Sequence, residues 1–404
     1  MKPYIDRAAF YLTCGSIISI LFSIAASHIL LGLAFAALLI STDKMRLPPI
    51  KLPLALFLTG TLISWLASGH IHEGTPQIRK FYVFLVLLLV YSTFRTLREI
   101  RNIVLLWAGV TTLSAIRSFV QFANKYQDWR SQGSGTFYDF YIGQRITGFT
   151  SHWMTFGGEE MIVLLFLAAL LFFSIERRWK AAGWLCAALL SVSMVLGMTR
   201  SIFLLGFPVG LIYLLWFWHR WMAIAAPVLA AIVFLVSPVL KERVISVWQP
   251  HGQRDSNMHR QILRAAGVEM IRAHPWLGIG PEVMNDKDRF EHYVPADIPR
   301  PFPEGWYGHL HNIYLQYAAE RGIPTMLMLM WMIAKILWDF ATALYRRPAN
   351  PESTFVLHGA IAVILAILAE GFLEYNLGNS AVLMLFLAVV SFGYLAKETA
   401  APAS

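Results

Sequence analysis

The sequence predicts an all-α polytopic membrane protein of about 12 transmembrane helices, with one large hydrophilic loop containing short helices. Three observations predict it. Hydrophobic residues fill 57% of the 404 positions and only 14% are charged, whereas soluble domains carry about a quarter charged residues. The mean hydropathy is +0.55. Apolar runs of about 15–22 residues, close to bilayer length, recur between short polar breaks.

Polar breaks place the spans near 10–25, 27–42, 52–68, 81–95, 103–123, 154–175, 181–199, 201–218, 221–240, 323–345, 354–373 and 380–396. Lys2 and Arg7 precede the first run, no small-residue cleavage site stands out, and the run is read as retained. Residues 8 to 42 lack a charge. One helix of that length would overshoot the bilayer, so the expected division is near Ser27-His28. Cys14 and Cys186 both fall inside expected spans, which offers neither a disulfide framework nor a zinc cluster.

An even number of spans puts both termini on one side. Lys2, Arg7, Lys44, Arg46, Lys51, Arg95, Arg98, Arg101, Arg177, Arg178, Lys180, Arg220, Arg346, Arg347 and Lys397 all fall in one set of ends and loops. The positive-inside bias makes that set, and the termini, cytoplasmic. Much of the formal charge of +9 is thereby a matter of orientation, and it does not point to nucleic acid. The basic residues on the far side are the ones that call for explanation.

The organisation divides into 1–240, with helices 1–9; 241–311, the long loop; and 312–404, with a re-entrant helix and helices 10–12. A second hydrophilic stretch covers 124–150. Within the long loop Asp255-Ser256 offers a helix N-cap, and Ile262, Leu263, Ala266, Met270 and Ile271 give helical spacing over 257–273. His274-Pro275 stops that helix, Gly278 and Gly280 follow, and Pro295 to Tyr307 cannot be regular helix. A continuous helix from 312 to 345 would run about 50 Å, too long for a bilayer. The expectation is a short, partly inserted helix at 312–320, a break at Gly322 and Pro324, then a true span.

Arg200 stands between two apolar runs with almost no loop, where arginine is costly unless an anion or a wet cavity meets it. Snorkelling to headgroups is the alternative. Arg260 and Arg264 are four apart on one expected helix and share a face. That face reads either as the solvated side of a helix lying on lipid headgroups or as a phosphate clamp, because the guanidinium fork pairs bidentately with phosphate. Arg145 reads as a third such group, as loop surface, or as a partner of Glu159 and Glu160; Arg117 is similar and weaker. His311, between a polar loop and a re-entrant helix, is the candidate for proton transfer, since imidazole accepts a proton near neutral pH. His309 ranks below it, and a structural, hydrogen-bonded histidine is the alternative for both. Asp286-Lys287-Asp288 reads as a charged turn before it reads as a cation site. Lys335 and Asp339, four apart, read as an internal salt bridge.

The run Arg260-(x12)-Arg272-Ala273-His274-Pro275-Trp276-Leu277-Gly278-Ile279-Gly280-Pro281, then His311-Asn312 with nine residues to Gly322, resembles the O-antigen ligase and polymerase superfamily. The Thr199-Arg200-Ser201 turn and the Arg145-to-His152 segment resemble its upstream signatures. The resemblance implies a class C-like glycosyltransferase of the Gram-negative inner membrane, with cytoplasmic termini and a periplasmic site. It implies inverting, metal-independent transfer of a polysaccharide from undecaprenyl pyrophosphate to the lipid A-core, with no cofactor. On this chain, Arg200 and Arg260 would bind pyrophosphate, with Arg145, Arg264, Asn312 and Arg117 among the substrate-binding residues. His311 would take the proton of the acceptor hydroxyl. His259 stands where the family often has a small residue, which shifts some weight to Arg264.

A polymerase of the same superfamily, with both substrates on undecaprenyl pyrophosphate, is the nearest alternative. Protein O-oligosaccharyltransferases usually carry a larger C-terminal part. A secondary transporter of an anionic solute is a different class. It would show repeated halves and midplane charges, whereas no repeat appears and most spans carry no acidic or basic residue at their centre.

Overall fold

A computed structural model describes residues 2–132, 135–174, 176–225, 256–300, 308–346 and 350–399, with Val228 and Phe302. The described residues form helices and no strand: α1 (Lys2–Ser19), α2 (Ile24–Ile40), α3 (Lys51–Ala67), α4 (Ile71–Arg79), α5 (Leu85–Thr93), α6 (Leu97–Gln132), α7 (Phe137–Ile142) and α8 (Trp153–Phe173). They continue as α9 (Arg177–Leu196), α10 (Phe207–Trp218), α11 (Ser256–Ala273), α12 (Lys287–His292), α13 (Ile313–Arg346), α14 (Pro351–Glu370) and α15 (Ser380–Thr399). Among the described residues seven helical stretches are long and apolar enough to cross a membrane, and α2 and α3 are shorter apolar helices. The chain is a multi-pass membrane protein. The expected span at 221–240 lies largely outside the described residues.

Burial sorts the bundle into centre and rim. Within the apolar window of α8, 89% of residues are buried, and 83% in α15, against 28% in α9. α8 packs on α14, α14 on α15, and α10 on α14. Small residues allow the close approach: a Cβ on Gly210 would stand 2.8 Å from the Ala362 carbonyl oxygen.

The division of the first apolar run differs from expectation. α1 ends at Ser19 and α2 begins at Ile24, so the turn precedes Ser27-His28. Ser23 is the N-cap, its side chain accepting from the Ala26 amide. Ser27 instead ties the antiparallel pair together. Its hydroxyl donates to the Ser16 carbonyl at 2.8 Å, and Ser16 returns a bond to the Ser27 carbonyl at 2.9 Å. A serine read as a break is a contact between helices. The expected 124–150 stretch also differs, since α6 runs 36 residues, or about 54 Å, and continues well into it.

Contacts separate two ends of the bundle. At one, Arg46 pairs with Glu398, Arg95 with Asp43, and Arg101 with Glu176 and Glu352. Lys335 meets Asp339 as read, and Lys397 and the Tyr394 hydroxyl join them. Of the basic residues counted above, Arg46, Arg95, Arg101 and Lys397 meet acidic partners at this end. At the other, Arg289 pairs with Glu73, Gln77 with Glu282, and His311 with Glu374.

α13 carries the expected break. Gly322 has φ 81° and ψ 159° inside an otherwise helical run, a combination essentially restricted to glycine. The groups freed there are met by residues 275–280. The amides of Ile279 and Gly280 donate to the carbonyls of Ala319 and Glu320 at 2.9 and 3.0 Å, and the Ile323 amide donates to Pro275 at 2.8 Å. Ser64 adds a bond to the Glu320 carbonyl. Irregular backbone at membrane depth is tolerated where protein buries it in this way.

α11 matches the helix read at 257–273. Its face of Ile262, Leu263, Ala266 and Met270 packs against Val283, Met284, Phe290, Leu310 and Ala319 in a small core of its own. Full burial of each such side chain contributes about 1.5–3 kcal/mol. The apolar face is therefore held by the protein, not by headgroups.

Candidate functional site

His311 is fixed from both flanks. Its φ is 47°, a left-handed conformation uncommon outside glycine. The next residue, Asn312, begins α13: its side-chain oxygen accepts from the Leu315 amide at 2.9 Å, and its amide donates to the Phe372 carbonyl at 3.1 Å. The Ile313 amide donates to the Gly371 carbonyl, and the Tyr314 hydroxyl to that of Leu368. The start of α13 is thus tied to the end of α14, and Glu374 follows that end by four residues.

Glu374 meets His311 there. The His311 Nδ1 lies 3.0 and 3.1 Å from the two carboxylate oxygens. The Tyr375 amide donates to the same carboxylate at 3.0 Å, and Arg260 Nη2 lies 3.9 Å from it. The Glu374 side chain is 2% exposed. Burial alone would raise its pKa, but the charge and hydrogen bond of His311, with His309 and Arg260, hold it down at about 2. A carboxylate only accepts, so Nδ1 carries a proton in either charge state, and Nε2 is the nitrogen that offers a lone pair when the ring is neutral. That tautomer is the one a general base needs.

A cavity of about 300 Å³ opens beside the pair, lined by Lys80, His152, His309, Glu374 and Asn379 among others. The His309 and His311 rings lie 4.1 Å apart at 62°. Burial, then repulsion from His311, lowers the His309 pKa to about 4. His309, His311 and Glu374 are the group among the described residues whose ligand atoms could converge on a metal ion.

The arginines are placed unevenly. Arg260 reaches the cavity through Glu374. Arg145 lies with its guanidinium carbon 4.5 Å over the Trp153 ring, against which His152 stacks at 4.3 Å. It also donates to the carbonyls of Ile142 and Met198 at 3.2 and 3.3 Å. The pKa of His152 is lowered by burial and then by Arg145. Arg200 is 5% exposed. It follows the turn at Met198, whose φ is 49°, and precedes a π-helical turn at Ser201–Gly206, a feature frequent at functional sites. Ile202 of that turn lies against Gly157 of α8.

The remaining expected residues are engaged in other ways. Arg264 is exposed on α11. Arg117 is exposed, 5.6 Å over the Phe149 ring. Asn312 has both ends of its amide engaged as above. Asp286 caps α12, accepting from the amides of Asp288 and Arg289, in keeping with a charged turn. The cysteines are free.

Sequence reasoning missed Glu374. It sits just past an expected span end, on the side where His311 was placed, and that topology was the available signal. Residues 185–330 match the family model described as O-antigen ligase, in support of the O-antigen ligase/polymerase superfamily that the motifs resemble. The match takes in Arg200, Arg260 and His311; Arg145, His152 and Glu374 lie outside it. No curated protein matches the chain.

Proposed function

We propose that the protein is an O-antigen ligase, moving a polysaccharide from undecaprenyl pyrophosphate onto the lipid A-core at the periplasmic face of the inner membrane. The observation that carries the reading is the hydrogen bond between His311 and the buried Glu374 carboxylate, with Arg260 alongside. It leaves one imidazole nitrogen free to accept a proton next to a cationic group that suits a diphosphate.

In the proposed step the acceptor hydroxyl gives its proton to His311 Nε2 as its oxygen bonds to the anomeric carbon from the face opposite the leaving group. The bond from that carbon to the pyrophosphate oxygen breaks, and its electron pair leaves with the lipid diphosphate. Arg260 and Arg200 stabilise the charge that grows there, and Arg145 supports the turn that carries Arg200. Fixed guanidiniums act more on the transition state than on the ground state. Glu374 orients His311 and stabilises the imidazolium as it forms. A volume of about 300 Å³ suits one reacting sugar or its diphosphate; the glycan and the lipid tail extend beyond it.

The test is purified protein with undecaprenyl-pyrophosphate glycan, lipid A-core and a chelator. Transfer is expected to persist with chelator and to fall by two to three orders of magnitude in Arg260→Ala, Arg200→Ala or His311→Ala, about 3–4 kcal/mol each. A magnesium requirement would move the chemistry elsewhere. Lengthening of the lipid-linked glycan with no transfer to lipid A-core would make the protein a polymerase.

A further inference from the structure

Beside the proton-transfer pair a second imidazole faces the same carboxylate. His309, His311 and Glu374 each offer one ligand atom, and the three lie within 4.8 Å of one another. The His309 Nδ1 is buried and has no hydrogen-bond partner among the described residues. A buried polar atom left without a partner is costly, so the site favours whatever can satisfy it.

The donor set says what that is. Two imidazoles and one carboxylate are the ligands of open zinc sites, which keep a fourth position for water or substrate. Magnesium and calcium prefer more oxygens than this corner supplies. Ligand atoms about 2.0–2.1 Å from a tetrahedral zinc lie about 3.4 Å from each other, and the three, now within 4.8 Å of one another, can reach that spacing by side-chain adjustment. Glu374 is already held by the Tyr375 amide at 3.0 Å, an outer contact that orients a ligand.

We infer that His309, His311 and Glu374 form a binding site for a first-row transition cation, zinc foremost, and that filling it blocks transfer. The binding follows from the geometry alone. The block rests on the proposed role of His311: a metal bound across the pair takes over the imidazole and the carboxylate that proton transfer needs. Zinc is then an inhibitor of a metal-independent reaction: it displaces the ring proton between His311 and Glu374 to solvent and takes no part in transfer.

The full chain in detergent, stripped with chelator, is titrated with cobalt(II) as a visible probe and then with zinc. One cobalt per chain is expected, with a tetrahedral spectrum that zinc removes and magnesium does not. His309→Phe is expected to weaken zinc by more than about tenfold, since loss of even an outer partner costs that much. X-ray absorption of the zinc-loaded wild type is expected to report two imidazoles, which keeps the test alive if the variant does not fold. No bound cobalt, or equal zinc affinity in wild type and His309→Phe, overturns the site. In the transfer assay, zinc is expected to halve the wild-type rate near the concentration that fills the site. His309→Phe, measured against its own metal-free rate, is expected to need more than about tenfold more. A filled site with unchanged transfer overturns the block and counts against His311 as base, while the metal-free rate of His311→Ala judges that role separately.

Discussion

Replacing Glu374 with glutamine tests the site at its least expected member. The substitution keeps size and removes the charge that faces His311 at 3.0 Å. Two unit charges at that separation interact by about 5.5 kcal/mol at an effective dielectric of about 20. The His311 side chain is 20% exposed, and water takes part of that away. A loss of about 3–4 kcal/mol in the transition state remains, or two to three orders of magnitude in kcat. Glutamine also presents an amide that can donate, which lets the wrong His311 nitrogen carry the proton. The donor KM is not expected to rise, because the lost charge faces the imidazole that takes up the acceptor proton and not the donor diphosphate. Arg260, 3.9 Å from the same carboxylate, loses a competitor for phosphate, which pulls KM down if anywhere. The assay is initial-rate transfer in detergent, with thermal unfolding measured in parallel. A folded Glu374→Gln protein within about threefold of the wild-type kcat, or one whose defect lies wholly in KM, would refute the assignment.

Three further outcomes are expected. Gly322→Ala would place a Cβ 2.1 Å from the Trp276 carbonyl oxygen in a backbone conformation costing about 1–3 kcal/mol for non-glycine residues. It is expected to lower the melting temperature and release the 275–280 segment to proteolysis; unchanged melting would argue against the break in α13. The fold favours neutral His309, held at about 4 against an ordinary 6.5, so its contribution of about 3 kcal/mol is fully present above the unfolded pKa and disappears as pH falls towards 4. Melting followed over that window is expected to flatten in His309→Phe, and an equally steep decline in both proteins would show that another group sets it. Asp286→Ala is expected to cost about 1 kcal/mol of stability through its lost cap and to leave transfer insensitive to magnesium; a new metal dependence would reopen the Asp286–Asp288 turn as a cation site.

What was legible in the sequence follows from how far apart the interacting residues lie. Hydropathy marked the seven long apolar helices among the described residues, because each one states its own burial within about 20 residues. Glycine and proline marked the break at Gly322, and a period of 3.6 marked the packed face of α11. The first turn was misplaced because serine serves equally as an N-cap and as a contact between helices. Ser23 caps α2, and Ser27, near which the division was expected, bridges the two helices instead. Glu374 was hidden for a different reason. It is 63 residues from His311, and the two are joined by backbone contacts such as that of the Ile313 amide with the Gly371 carbonyl. Such contacts are made by the main chain and leave no trace in residue type. Counting basic residues sorts the two ends of the bundle without knowledge of any contact, because the bias acts on each loop independently. Pairing one carboxylate with one imidazole needs the register between the start of α13 and the end of α14. That register is supplied by Asn312, which holds the Phe372 carbonyl while capping its own helix. Asn312 therefore gives its neighbours their position, a role that a motif reading of the residue alone does not state.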